Sequence, residues 1–468
     1  MNQIQRFKRT FIGDKAFYRT VVTLIIPIII QMFVTNFVNM LDNIMVGHLG
    51  TDELSGVAIA NQMVMVVNMC IFGGLAGPGI FGAQFFGAQN LEGVRNTFRI
   101  KLWVSLSIIV IAFFVILGFG ENLIRLYLQG DGDPISAMRM MDYAQEYVKI
   151  SLIGFLPFVL TYSYASTLRE SGETMIPMKA GIAAVLVNLV GNYTLIYGHF
   201  GFPQLGVAGA AIATVISRFV ELGIILYAAH GTQRFEFLKD VYKTLKVPLR
   251  LVKTVMRKGA PLLVNELFWS TGMAALLQIY SLRGLNVLGA MNIAMTVNNM
   301  FNMFFLSMGT AIAIMIGQHL GANRMAEAKR DVWRLMFFSV AQCLVIATVM
   351  AIFSSYFPKL YNTTEEVRYL ATHFLITLAV FMPMHAISHA CYFTLRSGGS
   401  TLMTFIFDAA YVWVINIPIA LALTQLTDLP IVVIYPLCEL AGASKLVLGI
   451  IIVKSGVWVK NIVVSKAI

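Results

Sequence analysis

A long stretch without any Asp, Glu, Lys or Arg runs from Leu54 to Leu91 and reads LSGVAIANQMVMVVNMCIFGGLAGPGIFGAQFFGAQNL. A helix needs about 20 apolar residues to cross the hydrocarbon core of a bilayer. This stretch is too long for a buried helix of a soluble domain, and it suffices for one generous span followed by a turn. It therefore predicts a transmembrane helix.

The rest of the chain has the same character. Of its 468 residues, 58% are hydrophobic and only 12% are charged, and the mean hydropathy is +0.76. Closed β-barrels are the other way to cross lipid, but their strands are short and alternate in polarity, whereas these apolar stretches are continuous. We predict an all-α integral membrane protein with twelve transmembrane helices. The predicted spans are residues 21–46, 54–82, 102–120, 147–168, 176–198, 205–229, 259–282, 287–316, 335–354, 369–395, 402–424 and 430–454.

The positive charge is unevenly distributed. With a cytoplasmic N-terminus, the segments on the cytoplasmic side of the membrane hold 26 of the 34 Lys and Arg residues, and those on the outer side hold five. This bias follows the positive-inside rule, so the net charge of +11 indicates topology and predicts no nucleic-acid partner. No cleavable signal peptide is evident. We expect cytoplasmic tails at residues 1–20 and 455–468, in a multi-pass protein of the plasma (inner) membrane.

The two halves of the chain repeat each other. A shift of 234 residues superimposes Pro, Gly and Gln positions of the first half on the second, and a shift of 227 does so later in each half. The matches include Pro27 with Pro261, Gln84 with Gln318, Gly87-Ala88 with Gly321-Ala322, and Thr167-Leu168-Arg169 with Thr394-Leu395-Arg396. We predict two pseudo-symmetric six-helix lobes, residues 21–229 and 259–454, with substrate binding between parallel repeats.

The intervening segment, residues 230–258, is rich in Lys and Arg. It is predicted to be a cytoplasmic linker. Its charges are consistent with a solvated surface helix or with binding to anionic lipid headgroups.

An ionisable side chain inside a span is costly and is a functional candidate by default. Asp42 lies in the first span. At about 100° per residue it falls on one polar face, within an arc of roughly 140°. Removal from water favours the neutral form of a carboxylate, so Asp42 is a candidate for proton exchange, with a purely structural carboxylate as the alternative. The residues of this face are Gln31, Thr35, Asn36, Asn39, Asp42 and Asn43.

Further acids lie within later spans. Glu266, Asp408 and Glu439 are each able to bind Na⁺, carry a proton or face a cationic substrate. Glu439 and Lys445 could instead simply neutralise charge near the cytoplasmic interface. Arg218 and Glu221, three residues apart, are predicted to form an ion pair with a structural role.

Several polar and flexible side chains are placed to contact ions or substrate, with hydrogen bonds between helices as the alternative. Asn188 and Asn192 are one turn apart in the fifth span, and Thr214 follows a small-residue stretch in the sixth. Met residues suit an adaptable apolar cavity or plain packing. We interpret the following as candidates for the substrate cavity: Asn36, Asn39, Gln62, Met65, Asn299 and Asn302.

The sequence contains little that would support an enzyme activity or a metal site. His385 and His389 share a face of the tenth span, but without a third ligand a polar helix contact is favoured over metal. The four cysteines lie in apolar segments without a CxxC spacing, as buried small hydrophobes do. No GxxxxGK[ST] motif for ATP is present. We expect no enzyme activity and no cofactor. The energy for transport comes from an ion gradient, from a partner chain, or from no source at all.

Taken together, the motifs resemble those of the multidrug and toxic compound extrusion (MATE) transporters over nearly the whole chain. The resemblance rests on Pro27 and on the motifs MLDNIMVGHLG (40–50), GAQFFGAQN (82–90), LRESGETMIPM (168–178), GVAGAAIAT (206–214), PLLVNELFWSTGM (261–273), GQHLGANR (317–324) and FDAAYVWVINIPIA (407–420).

This resemblance implies a V-shaped bundle of two six-helix lobes that exports cationic, amphipathic compounds in exchange for H⁺ or Na⁺. Asp42 resembles the coupling carboxylate of the N-terminal lobe, with Asn188, Asn192 and Thr214 as its partners. Some relatives have Asp where Asn192 stands. Glu266 and Asp408 are similar to acids of the C-terminal lobe that are implicated in cation coupling, where Na⁺ could bind.

We therefore expect a secondary-active multidrug antiporter, as a monomer embedded in membrane lipid, that acts on small organic cations. The alternative within transport is a flippase for lipid-linked saccharides, which favours a markedly cationic cavity. A membrane-embedded enzyme needs a clustered catalytic set that the sequence does not contain, and a passive channel is more often an oligomer around a shared pore.

Overall fold

The computed structural model describes residues 10–128, 133–231 and 234–463. Within them, twelve helices are long and apolar enough to cross a membrane, which confirms the predicted fold class. They are α1 (Lys15–Gly47), α2 (Thr51–Gly87), α3 (Leu91–Tyr127), α4 (Pro134–Glu170), α5 (Met175–Tyr197), α6 (Gly206–His230), α7 (Leu249–Ser281), α8 (Leu285–Gly321), α9 (Met325–Phe353), α10 (Glu365–Ser397), α11 (Thr401–Leu426) and α12 (Ile431–Ser455).

Most helices extend beyond the predicted spans. The span at 102–120, for example, is the middle of α3, which runs from Leu91 to Tyr127. Its first turns are polar and are stabilised locally, because Asn90 accepts a hydrogen bond from Gly93 N and Glu92 pairs with Arg99 at 2.8 Å. Hydropathy marks the part of a helix that meets lipid, whereas capping and charge pairs continue the helix into the interface.

Close packing divides the chain into two compact units. The C-terminal unit comprises Met1–Ile29, Ala83–Gln89 and Lys253–Ile468, and the N-terminal unit comprises Ile30–Gly82 and Asn90–Val252. These units differ from the predicted lobes at the start of α1 and the end of α2. In α1 the reason is burial, because Phe17, Val21, Leu24 and Ile25 belong to one hydrophobic cluster with side chains of α8, α9 and α10.

At the end of α2 the reason is a close helix crossing within the C-terminal unit. A Cβ atom on Gly87 would lie 2.1 Å from the Gln318 carbonyl oxygen, and one on Gly321 would lie 1.9 Å from that of Gln84. Gly87 and Gly321 are the pair related by the 234-residue repeat. Only glycine permits this approach of the two backbones, which explains why the same dipeptide occurs in both halves.

The described part of the C-terminal tail packs against this crossing. Trp458 is 1% exposed, and its indole donates to Val453 O at 2.9 Å. Asn461 donates to Gly321 O at 3.0 Å, and Ile462 N donates to Gln84 Oε1 at 2.9 Å. Residues 456–463 are therefore held in place, while residues 464–468 of the predicted tail lie outside the described residues, as do residues 1–9 of the N-terminal one.

The predicted surface helix in the linker is wrong for residues 234–248, which form turns and irregular structure before α7 begins at Leu249. Residues 232–233 lie outside the described residues. Phe237 and Leu238 are buried, and two arginines of α3 bind the segment's backbone. Arg95 donates to Glu236 O and Lys239 O, and Arg99 donates to Val241 O. Side-chain anchoring and apolar burial thus replace helical hydrogen bonds.

A buried ion pair joins α3 and α4 in the N-terminal unit. The Lys101 side chain is fully buried, and its Nζ lies 2.7 Å from Glu170 Oε1. Ser166 and Thr167 accept hydrogen bonds from the same ammonium group. All donors of the lysine are therefore satisfied, as burial of a charge requires.

Candidate functional site

A cavity of about 600 Å³ lies within the N-terminal unit. Its walls come from α1, α2, α4, α5 and α6, and its lining is mainly polar where α1 faces it. Five of the six residues of the predicted polar face of α1 take part. The polar lining residues are Gln31, Thr35, Asn39, Asp42, Asn43, Asn61, Asn68, Tyr147, Ser151, Thr161, Tyr162, Arg169, Asn188, Asn192, Thr214, Ser217, Arg218 and Glu221.

Asp42 is bound from α5. Its Oδ1 accepts a hydrogen bond of 2.6 Å from Asn192 Nδ2. Asn192 is 1% exposed, and its own Oδ1 has no hydrogen-bond partner among the described residues. Such an orphaned acceptor beside a carboxylate offers a ligand to a cation or to a hydrogen-bond donor that enters the cavity.

Asn188 completes the cluster. In the amide orientation that suits both of its neighbours, its Nδ2 donates to Asp42 Oδ2 at 2.8 Å, and its Oδ1 accepts from Thr214 Oγ1 at 3.2 Å. Both carboxylate oxygens of Asp42 are then bound by amides. The structure thus brings together the four residues that the sequence analysis grouped by resemblance: Asp42, Asn188, Asn192 and Thr214.

Two arginines in the cavity were not among the predicted site residues. Arg169 donates to Gln31 Oε1 at 2.9 Å. Arg218 pairs with Glu221 at 3.2 Å, as their spacing predicts. In the sequence, Arg169 is noted only as the residue that matches Arg396 in the repeat. Because it lies at the end of a predicted span, it is counted as a charge at the membrane interface.

The candidate substrate residues are more scattered. Asn39 and Met65 line the cavity, whereas Asn36 and Gln62 are exposed and do not. In α1, Asn36 lies at the edge of the predicted arc, and the rotation of the helix turns it away from the cavity. Asn299 and Asn302 belong to the C-terminal unit, where Asn299 is exposed.

In the C-terminal unit, Asp408 already has a cationic partner. Its Oδ1 lies 2.8 Å from Lys445 Nζ, and its Oδ2 accepts from Asn265 Nδ2 at 3.1 Å. Lys445 therefore pairs with Asp408 and not with Glu439, its acidic neighbour in the sequence. Glu266, the other candidate for Na⁺, accepts a hydrogen bond of 2.9 Å from the Tyr392 hydroxyl.

The two histidines of α10 have different surroundings. His385 Nε2 lies 2.9 Å from Glu439 Oε2, whereas the His389 ring stacks on Phe305 with centroids 5.3 Å apart. Among the described residues, no group of three or more His, Cys, Asp or Glu could hold a metal ion. His385 thus makes a polar contact between helices, and His389 makes an aromatic one.

Similar proteins are known from several organisms. A probable multidrug resistance protein NorM from Thermotoga maritima is 23% identical over 91% of this chain and 90% of its own. A protein of the same name from Oceanobacillus iheyensis is 26% identical over 90% of this chain and 93% of its own. A solved structure of a MOP superfamily transporter from Pyrococcus furiosus has a TM-score of 0.83 at 21% identity, covering 97% of this chain and 99% of that one.

The family model described as MatE matches residues 27–194 and 261–422. The two matched segments correspond to the two halves of the repeat, and together they cover more than half of the chain. The fold, the repeat and this match agree: the chain belongs to the MatE family and is a multi-pass membrane transporter, not an enzyme.

Proposed function

We propose that this transporter is a secondary-active multidrug antiporter that exports organic cations in exchange for H⁺ or Na⁺. The observation that carries the proposal is the position of Asp42, an acid within a membrane-spanning helix, at the wall of a cavity of about 600 Å³. A carboxylate in such a place is costly unless a cation or a proton compensates it. Both the coupling ion and the substrate can do so.

Competition for the carboxylate provides the coupling. A ligand shifts a conformational equilibrium only through its different affinities for the two states. A proton or Na⁺ at Asp42 displaces the organic cation and favours the state from which that cation leaves. Asn188, Asn192 and Thr214 hold the carboxylate in position, and they supply the neutral ligands that remain when its charge is compensated.

The walls of the cavity suit amphipathic compounds. Met65, Phe155 and Phe158 line it beside the polar face of α1, and Met and aromatic side chains adapt to apolar groups of different shapes. The curated relatives carry multidrug resistance in their names, which agrees with broad selectivity. We infer that Asn39 and Met65 contact the substrate, and that Asn36, Gln62, Asn299 and Asn302 do so in other states of the transport cycle.

The C-terminal unit contributes a second set of acids to the proposed coupling. Glu266 and Asp408 are the residues at which we place Na⁺ binding, should sodium be the coupling ion. The chain acts as a monomer in the plasma (inner) membrane, with both termini cytoplasmic.

A flippase for lipid-linked saccharides remains the alternative. Such a protein would gain from a cationic cavity, because its substrates carry phosphate groups. Arg169 and Arg218 line the cavity, but Asp42 and Glu221 balance their charges. The cavity is therefore not markedly cationic, which counts against the flippase.

The deciding experiment uses purified protein in lipid vesicles loaded with a fluorescent organic cation. Efflux is measured under an imposed pH gradient and then under an imposed sodium gradient. Efflux that follows one of the two gradients supports the antiporter and names its coupling ion. Failure under both, together with gradient-independent movement of a lipid-linked saccharide, would favour the flippase.

A further inference from the structure

We propose that the Lys445 ammonium group is the resident occupant of a cation-binding site in the C-terminal unit, and that free ammonium compounds compete with it for that site. This site is separate from the cavity around Asp42. The inference rests on the proposed function only in its choice of ligand, since the ions that the transporter exchanges are the cations available to compete.

The surroundings of Lys445 are those of an ammonium receptor. Its Nζ lies 2.8 Å from Asp408 Oδ1, 5.2 Å from the centroid of the Phe407 ring and 5.8 Å from that of Tyr411. A carboxylate supplies the charge, and two aromatic faces supply cation–π attraction, the combination that recognises organic ammonium ligands in aromatic cages.

The receptor is held in place independently of the lysine. Asn265 donates to Asp408 Oδ2 at 3.1 Å and accepts from Ala409 N at 3.2 Å. The Tyr411 hydroxyl binds Ala441 O at 2.9 Å, at the point where α12 is interrupted at Gly442. The carboxylate and the rings would therefore keep their positions if the ammonium group left.

The local backbone of α11 is also unusual. Residues Ile406–Ala410 and Val412–Asn416 form two π-helical turns. Single π-turns inside α-helices are rare and are concentrated at functional sites. Here the wider turns present Phe407, Asp408 and Tyr411 together.

The site has an opening. The side chains of Asp408 and Lys445 are each 17% exposed, so the ion pair is not sealed inside the unit. Lys445 itself lies in the second segment of α12, Ala443–Ser455, and carries four rotatable methylene groups. It can move away without unfolding the helix that bears it.

The other half of the chain lacks this receptor. With the 227-residue offset of the repeat, Phe407, Asp408 and Tyr411 correspond to Ala180, Gly181 and Ala184, while Lys445 corresponds to Arg218. The small side chains leave no acid and no ring there, and a Cβ on Gly181 would lie 2.6 Å from Gln31 Nε2.

Arg218 accordingly binds elsewhere, to Glu221 of its own helix and over the Phe158 ring. The basic residue is therefore common to both halves and meets an acid and a ring in each. In the C-terminal unit the acid and two rings come from one neighbouring helix, α11, whereas in the N-terminal unit the acid lies on the helix of Arg218 itself and one ring comes from α4. Simple neutralisation of a repeated cation does not require such a cage.

The test replaces the resident ammonium by a free one. In the variant Lys445→Ala the deleted atoms are those of propylammonium. We expect millimolar propylammonium to raise the unfolding temperature of this variant in detergent by roughly 2 °C or more. Propanol, which has the same shape and no charge, should have no such effect. Wild-type protein should need a much higher propylammonium concentration for the same rise, because Lys445 competes for the site, and it should not respond to propanol.

Two controls distinguish the cage from general salt effects. The double variant Lys445→Ala/Asp408→Asn should lose the response, and Lys454→Ala, which removes an exposed lysine of the same helix, should never acquire it. An equal response in all variants, or none in Lys445→Ala, would overturn the proposal.

If Lys445→Ala does not accumulate as folded protein, it is produced with propylammonium or propanol in the buffer. Recovery with propylammonium alone is then the expected result, and recovery with neither compound counts against the site. Because this binding assay needs no gradient, its result is independent of the vesicle efflux experiment. Failure of this proposal can therefore be distinguished from failure of the proposed function.

Discussion

Asn192 of α5 donates a hydrogen bond of 2.6 Å to Asp42 of α1, and its own side-chain oxygen is buried without a partner among the described residues. The two residues are 150 positions apart in the sequence. The acid is therefore held by an amide that has an unused acceptor, next to a cavity. An unused acceptor beside a carboxylate offers a ligand to a cation or to a hydrogen-bond donor.

The variant Asp42→Asn should lower gradient-driven efflux by roughly tenfold or more, because an amide exchanges neither a proton nor Na⁺ and the coupling free energy is lost. The amide has nearly the same size, so the protein should still insert and fold. Efflux of a fluorescent cation from vesicles measures the first effect, and the yield of monodisperse protein measures the second.

Glu121→Gln is the matched control for this variant. It also removes one carboxylate from a membrane helix, but Glu121 is exposed and pairs with Arg125 of the next turn of α3. Its transport rate should stay at the wild-type value. Wild-type transport in Asp42→Asn itself would remove Asp42 from the mechanism.

Local patterns predicted what depends on neighbours along the chain. The charge-free stretch at 54–91 predicts α2, and a spacing of about 100° per residue places Asp42 on the polar face of α1. The 234-residue repeat pairs Gly87 with Gly321, although only the coordinates show that they lie at one crossing. Each of these features can be predicted from the sequence of one helix or from the comparison of the two halves.

Contacts between side chains of different helices could not be predicted in this way. The sequence around Lys101 does not indicate its partner, yet its side chain is fully buried beside Glu170, 69 residues away. Lys445 has Glu439 as its acidic neighbour in the sequence but binds Asp408 of the preceding helix. Which acid a lysine reaches depends on how α11 and α12 pack, and spacing carries no information on that.

The Lys101–Glu170 pair is buried, so removing one partner should destabilise the protein more than removing both. Lys101→Met leaves the carboxylate without its cation and should cost about 3–5 kcal/mol of unfolding free energy. The double variant Lys101→Met/Glu170→Leu removes both charges and should recover much of that loss. Denaturation of the purified variants in detergent, analysed as a double-mutant cycle, gives the coupling free energy.

Additive effects of the two substitutions would contradict this account of the pair. Glu121→Gln is a suitable comparison, because it breaks an ion pair of the same helix, with Arg125, in which both side chains are more than half exposed. Exposed pairs contribute about 0–1 kcal/mol. Its effect should therefore be several times smaller than that of Lys101→Met.

The crossing of α2 and α8 should tolerate no side chain at its centre. In Gly321→Ala the new Cβ would meet the Gln84 carbonyl oxygen at 1.9 Å, so one backbone must move. Overpacking of this kind typically costs about 1–3 kcal/mol, and the unfolding temperature should fall. Because the tail binds both contact partners, Asn461 at Gly321 O and Ile462 at Gln84, the C-terminal segment should also become easier to cleave with protease.

Gly118→Ala provides the control, since nothing lies within 4 Å of a Cβ at that position. Alanine favours the helix over glycine by about 1 kcal/mol, so this variant should be as stable as the wild type or slightly more so. Gly87→Ala, on the other side of the crossing, should resemble Gly321→Ala, because its Cβ would lie 2.1 Å from the Gln318 carbonyl oxygen. Wild-type stability in both crossing variants would mean that the two backbones separate at little cost, and that the shared glycines are not needed for their approach.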